Sequence, residues 1–364
     1  MRLEARSEIG MPQLLRAAGA GLLAVLALVA VLVAITGAPI ARTFGLMWLG
    51  GFGSVFALSE TLTRAIPLML CGLAATVAFK ARLFNIGAEG QFYAGAMAAV
   101  AVGGGSANPA WPLPLLFAAM LCAAMLAGAL LLLGPALAKL LWGVDEVVST
   151  LLLNFIVLLA VGALLDGPMK DASAMGWPQS LALDPALELG KLIDQTRVHS
   201  GALWGLGAAL ALWTLLRFTT LGFDIRALGA NAGAAAFAGV PVTRTMVCVA
   251  LLSGGLAGLA GAIEVAGRTS YVTLDMSPGY GYSGIVIAML AGLHPLAVVV
   301  ASVGVAGVLV GADSMSRSLG VPSVLADVVV AGALLAVLVA SMLTRYRLRF
   351  DRPGAAARAG ASAR

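Results

Sequence analysis

The chain has 364 residues, of which 61% are hydrophobic and only 11% are charged, and its formal net charge is +5. Soluble globular domains carry about 25% charged residues, and 22 Lys and Arg with 17 Asp and Glu are too few to cover a soluble protein of this length. The composition excludes a soluble enzyme and indicates an integral membrane protein, and so small a net charge does not favour nucleic-acid binding.

Long apolar runs predict an all-α membrane protein with about ten transmembrane helices. A helix needs about 20 mostly apolar residues to cross the hydrocarbon layer. The two halves of residues 276–312, divided at the sequence GLHP, are short enough for one of them to be re-entrant. In chain order the predicted spans are 17–35, 65–79, 84–102, 111–133, 147–165, 200–216, 245–263, the two halves of 276–312, and 324–344.

The distribution of basic residues predicts the orientation of these spans. Lys and Arg are retained on the cytoplasmic side of a membrane. With both termini inside, fifteen of the 22 basic residues fall in inner segments and seven in outer ones. The predicted organisation is a cytoplasmic N-terminal segment 1–16, a membrane domain 17–344 with an inner loop 217–244 and an outer loop 166–200, and a basic cytoplasmic tail 345–364.

Small residues predict where helices cross closely. Lipid offers no hydrophobic drive toward helix pairing, so close packing at small residues brings helices together. Gly254 and Gly258 form one GxxxG step, and Gly307 and Gly311 form another. These four glycines are predicted packing positions, and a face that slides during a transport cycle is the alternative interpretation.

Few strongly polar residues lie within the apolar runs. Those that stand out are Glu89, Gln91, Asn154 and Ser253, with Asp327 at the start of the last predicted span. Polar groups at membrane depth are unfavourable and usually face protein or a water-filled path. They are therefore candidates for lining a substrate path. Glu89 has the alternative role of an ion pair with Lys80 or Arg82 at the cytoplasmic edge, or of a charge at a helix N-terminus. Asn154 has the alternative role of a single interhelical hydrogen bond.

The inner loop 217–244 contains one predicted short helix. Asn231 is a good N-cap, residues 232–238 are rich in alanine, and Gly239 ends the helix. A helix of about two turns is marginal in water, so it should bury one face. Phe237 can lie against the chain's own membrane domain or in a groove of a cytoplasmic partner.

The sequence gives no support for a cofactor in this chain. Its three cysteines lie within apolar runs and its two histidines, His199 and His294, are far apart, so no metal site is predicted. The sequence also lacks a GxxxxGK[ST] phosphate loop, which argues against ATP binding by that motif. Clustered groups suited to catalysis are missing as well, and we expect no enzymatic activity.

Three motifs in order resemble the permease subunits of bacterial ATP-binding-cassette importers, and most of all the branch that handles nucleosides and simple sugars. They are FNIGAEGQFYAGA at 84–96, VDEVVSTLLLNFI at 144–156, and RALGANAGAAAFAGVPVTR with LLSGGLAGLAGAIE within 226–264. The resemblance runs from about residue 60 to 343. It implies a location in the bacterial cytoplasmic membrane.

The resemblance also implies the partners. These are two cytoplasmic ATPase subunits that bind ATP and Mg, a second permease subunit that is the same or a homologous chain, and an extracytoplasmic binding protein that delivers the solute. The short helix would be the coupling helix, with Gly233 where the importer pattern has Glu. The residues it assigns to coupling are Arg226, Asn231, Ala235, Phe237 and Gly239.

The expected function is therefore import of nucleosides or related simple sugars by alternating access, driven by a separate ATPase. A ribose-like monosaccharide permease and a branched-chain amino-acid permease are alternatives in the same superfamily. An autonomous channel or secondary transporter is an alternative of another class. The outer loop 166–200, which carries Trp177, is either a docking site for the binding protein or an unspecialised surface loop.

Overall fold

A computed structural model describes residues 39–104 and 111–320, together with 2–5, 346–349 and scattered helical positions between 23 and 31 and between 328 and 339. Apart from those scattered positions, the predicted spans 17–35 and 324–344 lie outside the described residues, as do most of the two terminal segments. The chain divides into a larger unit, Gly45–Ser314, and a smaller unit formed by Met1–Phe44 with Met315–Arg364.

Helices dominate the described residues. In chain order they are α1 (Ile40–Phe52), α2 (Val55–Lys80), α3 (Ala88–Gly103), α4 (Leu113–Trp142), α5 (Glu146–Asp166), α6 (Gly201–Phe218), α7 (Thr220–Ala230), α8 (Ala232–Phe237), α9 (Val242–Glu264), α10 (Tyr280–Leu290) and α11 (Pro295–Leu319). A π-helical turn, Val265–Thr269, continues α9, and a 3-10 turn covers Pro185–Leu187.

Two short strands lie in the smaller unit. Strand β1 (Arg2–Ala5) pairs antiparallel with β2 (Tyr346–Arg349), and Arg2 lies opposite Arg349. The sequence patterns do not predict this pair. It joins the N-terminal segment to the basic tail.

Six of the described helices are long and apolar enough to cross a membrane: α2, α4, α5, α6, α9 with its π-helical turn, and α11. Each corresponds to one predicted span. The predicted spans 84–102 and 276–291 appear instead as α3, with 16 residues, and α10, with 11. At 1.5 Å per residue, α10 reaches only about half of a hydrocarbon layer of roughly 30 Å.

Helix α2 begins ten residues before the predicted span, at Val55, where the Ser54 hydroxyl accepts a hydrogen bond from the Ala57 N–H. The earlier start places Glu60 and Arg64 inside the helix. They form an i,i+4 ion pair of 3.3 Å. Arg64 therefore lies within α2 and not in a loop. Glu60 neutralises its positive charge there.

The two opposite ends of the bundle are defined by the ends of helix α6. Its 18 residues are about 27 Å long and separate the segment 167–200 from α7 and α8. We call the end with residues 167–200 the loop end and the end with α7 and α8 the short-helix end.

Helix α9 forms the centre of the larger unit and packs on α2, α3 and α4. A Cβ atom on Gly254 would meet the carbonyl oxygen of Gly128, and one on Gly258 would meet that of Ala124. A Cβ on Gly95 of α3 would likewise meet Gly258. The helix backbones therefore approach to a distance that only glycine allows.

The other GxxxG step lies where α11 crosses α1. A Cβ on Gly307 would overlap the ring of Phe52, and one on Gly311 would meet the carbonyl oxygen of Met47. Helix α1 supplies glycine in return, since a Cβ on Gly51 would lie 2.6 Å from the Gly307 carbonyl oxygen.

Candidate functional site

A break between α2 and α3 brings irregular backbone into the bundle. Residues 81–87 are not helical, yet Asn85 is completely buried. Its side chain touches Ser253, which lies eleven residues, or about 16 Å, into α9. Non-helical backbone at membrane depth is tolerated only where protein or a water-filled cavity surrounds it.

The Asn85 side chain joins three elements. Its amide nitrogen donates to Gln91 Oε1 at 2.9 Å and to Ser253 Oγ at 3.0 Å. Its amide oxygen accepts from Gln91 Nε2 and from the Gly87 N–H, both at 2.9 Å. Ser253 in turn donates to the Ala74 carbonyl at 2.8 Å. The irregular segment is thereby tied to α2, α3 and α9.

Helix α5 supplies a row of polar side chains that replace the missing helical hydrogen bonds. Glu146 Oε1 accepts from the Phe84 N–H, and Thr150 Oγ1 accepts from the Ile86 N–H, each at 3.2 Å. Asn154 continues the row. These three positions recur every four residues, so they share one face of α5.

Asn154 contacts both the irregular segment and two helices. It is completely buried, accepts from the Gly90 N–H at 2.8 Å and donates to the Ile86 carbonyl at 2.8 Å. Its amide nitrogen is also 3.2 Å from the Tyr282 hydroxyl of α10. One side chain therefore holds the start of α3 and contacts α10.

Glu89 lies where the N-termini of α3 and α10 meet. It is in the first turn of α3 and 3% exposed, and its Oε2 accepts from the Gly281 N–H in the first turn of α10 at 2.7 Å. Helix N-termini carry partial positive charge, so both helices stabilise this carboxylate. Glu89 forms none of the described ion pairs, and its partners are these N-termini rather than Lys80.

The predicted path residues Glu89, Gln91, Asn154 and Ser253 therefore lie together around this junction, which we call the helix-break junction. Each is buried and hydrogen-bonded. The cavities described below are lined by other residues. Sequence reasoning missed Asn85 and Thr150, although the four-residue spacing of polar groups on α5 is a signal that could have identified the latter.

Charged residues form a second polar cluster at the loop end. Glu60 pairs with Arg64 and, at 3.0 Å, with Arg197, while Arg64 pairs with Asp313 at 2.5 Å. These pairs connect α2, the segment 167–200 and α11. Nearby, Arg268 of the π-helical turn pairs with Glu264 at 2.6 Å.

Two cavities of about 440 and 520 Å3 open at the loop end and share Arg197 and Arg268 as lining residues. His199 lines the first and Trp177 the second. Burial, with a smaller contribution from Arg268, lowers the pKa of His199 to about 4, so its imidazole is neutral at pH 7.

The short-helix end carries the predicted coupling residues. Asn231 accepts from the Ala234 N–H at 3.1 Å and caps α8, as predicted from its sequence position. Ala235 is 5% exposed, while Phe237 is 97% exposed, and Gly239 ends the helix with a φ of +86°. The helix thus holds one face against the chain and presents Phe237 outward.

The segment 217–244 contains a further helix that the sequence reading missed. Helix α7 begins after Thr219, whose hydroxyl accepts from the Gly222 N–H at 3.0 Å. Arg226 lies on α7 rather than on α8. The sequence Thr-Thr-Leu-Gly at 219–222 is a capping signal for the start of α7. Glycines at 222 and 229 weaken the helical pattern of α7.

Within the part of the chain that the structure describes, no three His, Cys, Asp or Glu side chains group in a way that could hold a metal ion. His199 lies at the loop end and His294 at the short-helix end, where it lines a cavity with Lys80.

A profile of the family described as the permease component of the branched-chain amino acid transport system matches residues 57–339. The chain belongs to this permease family. The match begins within α2 and covers every later helix of the larger unit, including the helix-break junction and both short helices.

Curated relatives of this permease match most of its length. The glucose ABC transporter permease protein TsgB13 of Haloferax volcanii is 35% identical over 352 residues, 92% of this chain and 91% of that protein. The guanosine ABC transporter permease protein NupP of Bacillus subtilis is 33% identical, over 88% of this chain and 90% of that protein. The nucleoside ABC transporter permease protein NupB of Lactococcus lactis is 28% identical, over 78% and 80%.

The protein is thus a multi-pass membrane permease of an ATP-binding-cassette importer and not an enzyme. Membership of this family implies that it works with an ATPase and a binding protein.

Proposed function

We propose that this permease imports nucleosides and that helix α8 couples it to its ATPase. The observation that carries the coupling proposal is the geometry of α8, a helix held by buried Ala235 that leaves the Phe237 ring almost fully exposed. An aromatic side chain on a short helix suits insertion into an apolar pocket of a partner.

The substrate proposal draws on two relatives. Proteins named as guanosine and nucleoside permeases match this chain over 88% and 78% of its length. A second candidate is a simple sugar such as glucose, which is favoured by the 35% identity to the glucose permease TsgB13. The names of these three relatives do not mention branched-chain amino acids, which are the substrate class in the family's description.

The helix-break junction supports an alternating-access mechanism. Helices α3 and α10 begin inside the bundle, and interrupted helices commonly surround the solute path of transporters. We assign Glu89, Gln91, Asn154 and Ser253 to the moving wall of that path. ATP binding in the partner then stabilises one of two arrangements of these helices.

The proposed assembly contains two such permeases, either two copies or this chain with a homologue, and two ATPases at the short-helix end. That end is then cytoplasmic. The extracytoplasmic binding protein docks at the loop end, where the segment 167–200 exposes Trp177. ATP and Mg bind in the ATPases and no cofactor binds in this chain.

Replacing Phe237 tests the coupling proposal. We expect Phe237→Asp to leave the permease in the membrane, to reduce ATPase co-purification at least tenfold and to abolish ATP-driven uptake, because a charge in an apolar pocket is strongly unfavourable. The measurements are the ATPase-to-permease ratio after affinity purification and uptake of labelled guanosine. Competition by unlabelled adenosine, glucose or ribose in the same uptake assay tests the substrate.

Two variants serve as controls. Phe237→Leu keeps an apolar side chain and should retain co-purification. Met175→Asp introduces the same charge at a fully exposed position of the loop end and should also retain it. Normal ATPase co-purification with Phe237→Asp would contradict the coupling role of α8.

A further inference from the structure

A small cavity of about 250 Å3 lies at the short-helix end, apart from the helix-break junction. The ends of α2 and α6, the middle of α7 and the start of α11 form its walls. Its volume is below the roughly 300–1,000 Å3 typical of sites for whole drug-sized solutes. It suits one small chemical group.

The charged residues that line the cavity are all cationic. Lys80, Arg217 and Arg226 contribute cations, and none of its lining residues is acidic. Within the described residues, none of the three cations forms an ion pair, and Lys80 and Arg226 repel each other. The N-terminus of α11 at Pro295 adds the positive end of a helix dipole.

Helix ends account for only part of this arrangement. Lys80 and Arg217 lie in the last turns of α2 and α6, where cations offset the negative ends of those helices. Arg226 lies within α7 and has no such role. Three cations that converge without a carboxylate are expected to hold an anion.

The walls next to the cavity are apolar and face away from the bundle. Helix α6 packs through one stripe, while Leu206 and Leu210 on its other face are 47% and 54% exposed. After Pro295, α11 exposes Leu296 and Val300. Trp213 of α6 lines the cavity itself, and tryptophan is typical of the depth where lipid headgroups meet acyl chains.

We propose that this cavity binds the phosphate group of an anionic membrane phospholipid. Lys80, Arg217 and Arg226 contact the phosphate, and the acyl chains lie along the exposed apolar faces of α6 and α11. A soluble phosphate compound carries the same anionic group but has no acyl chains to cover the exposed apolar faces. Basic pockets between membrane helices recognise lipid headgroups by this combination of charge and depth.

The test measures lipid retention by the complete transporter, with permease and ATPase together, by native mass spectrometry in detergent. The probes are dioleoyl phosphatidylglycerol, dioleoyl phosphatidylcholine and inorganic phosphate. We expect the wild type to retain phosphatidylglycerol in preference to phosphatidylcholine. The double variant Lys80→Gln with Arg217→Gln should bind it about thirtyfold more weakly, because two cationic contacts are lost.

The matched control is Arg82→Gln with Arg244→Gln. It removes two exposed arginines from the same end but outside the cavity. Its phosphatidylglycerol retention should equal that of the wild type. If the double variant at Lys80 does not assemble, Arg217→Gln alone, at an exposed position, should still weaken binding about fivefold.

Equal retention in the wild type, the cavity variants and the control would overturn the proposal. Displacement of phosphatidylglycerol by an equal concentration of inorganic phosphate would overturn the assignment to lipid. Loss of phosphatidylglycerol retention restricted to the cavity variants would support it.

Discussion

Asn154 shows how one side chain can hold an interrupted helix within a membrane protein. Its amide satisfies the Gly90 N–H and the Ile86 carbonyl, two backbone groups that the break between α2 and α3 leaves without helical partners. Lipid supplies no substitute hydrogen bonds. The arrangement of residues 81–90 therefore depends on a residue more than sixty positions away.

Replacing Asn154 by Ala tests this dependence. We expect Asn154→Ala to lower the free energy of unfolding by about 2–4 kcal/mol, because two buried backbone groups each lose a partner. The measurement is unfolding of the purified permease by SDS in mixed micelles. Ser149→Ala is the control, since the Ser149 hydroxyl bonds only the Asp145 carbonyl of its own helix. Equal unfolding curves for both variants would show that Asn154 does not stabilise the break.

The identity of these polar residues was predictable from the sequence, but their partners were not. Glu89, Gln91, Asn154 and Ser253 stand out because polar groups are rare in apolar runs. Ser253 meets Asn85 across 168 positions of the chain. Such pairings follow from helix packing, which no local pattern encodes.

The close crossings of α9 with α3 and α4 depend on glycine at a few positions. Gly258 leaves no room for a Cβ beside the Ala124 carbonyl, and Gly128 and Gly254 approach each other in the same way. By contrast, a Cβ on Gly134 of α4 would meet nothing within 4 Å. The same helix pair therefore offers both a constrained and an unconstrained glycine.

We expect Gly258→Ala to lower the free energy of unfolding by about 1–3 kcal/mol, because the added methyl group forces α4 and α9 apart. Gly134→Ala should leave it unchanged or raise it by up to about 1 kcal/mol, since alanine favours a helix over glycine. SDS unfolding of both variants compares them directly. A Gly258→Ala protein as stable as Gly134→Ala would contradict the close crossing.

The sequence predicted helices better than their ends. Apolar length located the six long helices, but α2 starts ten residues before the predicted span 65–79 and includes the ion pair of Glu60 with Arg64. Helix α10 is short because irregular backbone precedes it and Gly292 follows, at a φ of +60°. Ion pairing lets a helix start before its apolar run, and a left-handed turn ends a helix inside one. The apolar runs alone therefore do not predict the helix ends.

At the level of the whole molecule, the two ends of the bundle differ in charge. The loop end combines carboxylates and cations in the pairs of Glu60 with Arg64 and Arg197. At the short-helix end Lys139 pairs with Glu146, while Lys80, Arg217 and Arg226 line one cavity without an acidic partner. This asymmetry agrees with the proposed orientation, in which α7 and α8 face the cytoplasm.

The most direct test of the central claim, that this permease moves solute only when a separate ATPase drives it, is uptake by proteoliposomes. Vesicles contain the permease with its partner permease and ATPase, the binding protein is added on the loop-end side, and labelled guanosine is measured with and without ATP on the opposite side. We predict accumulation that requires ATP, the ATPase and the binding protein. Guanosine accumulation by vesicles that hold the permease alone, without nucleotide, would contradict the account.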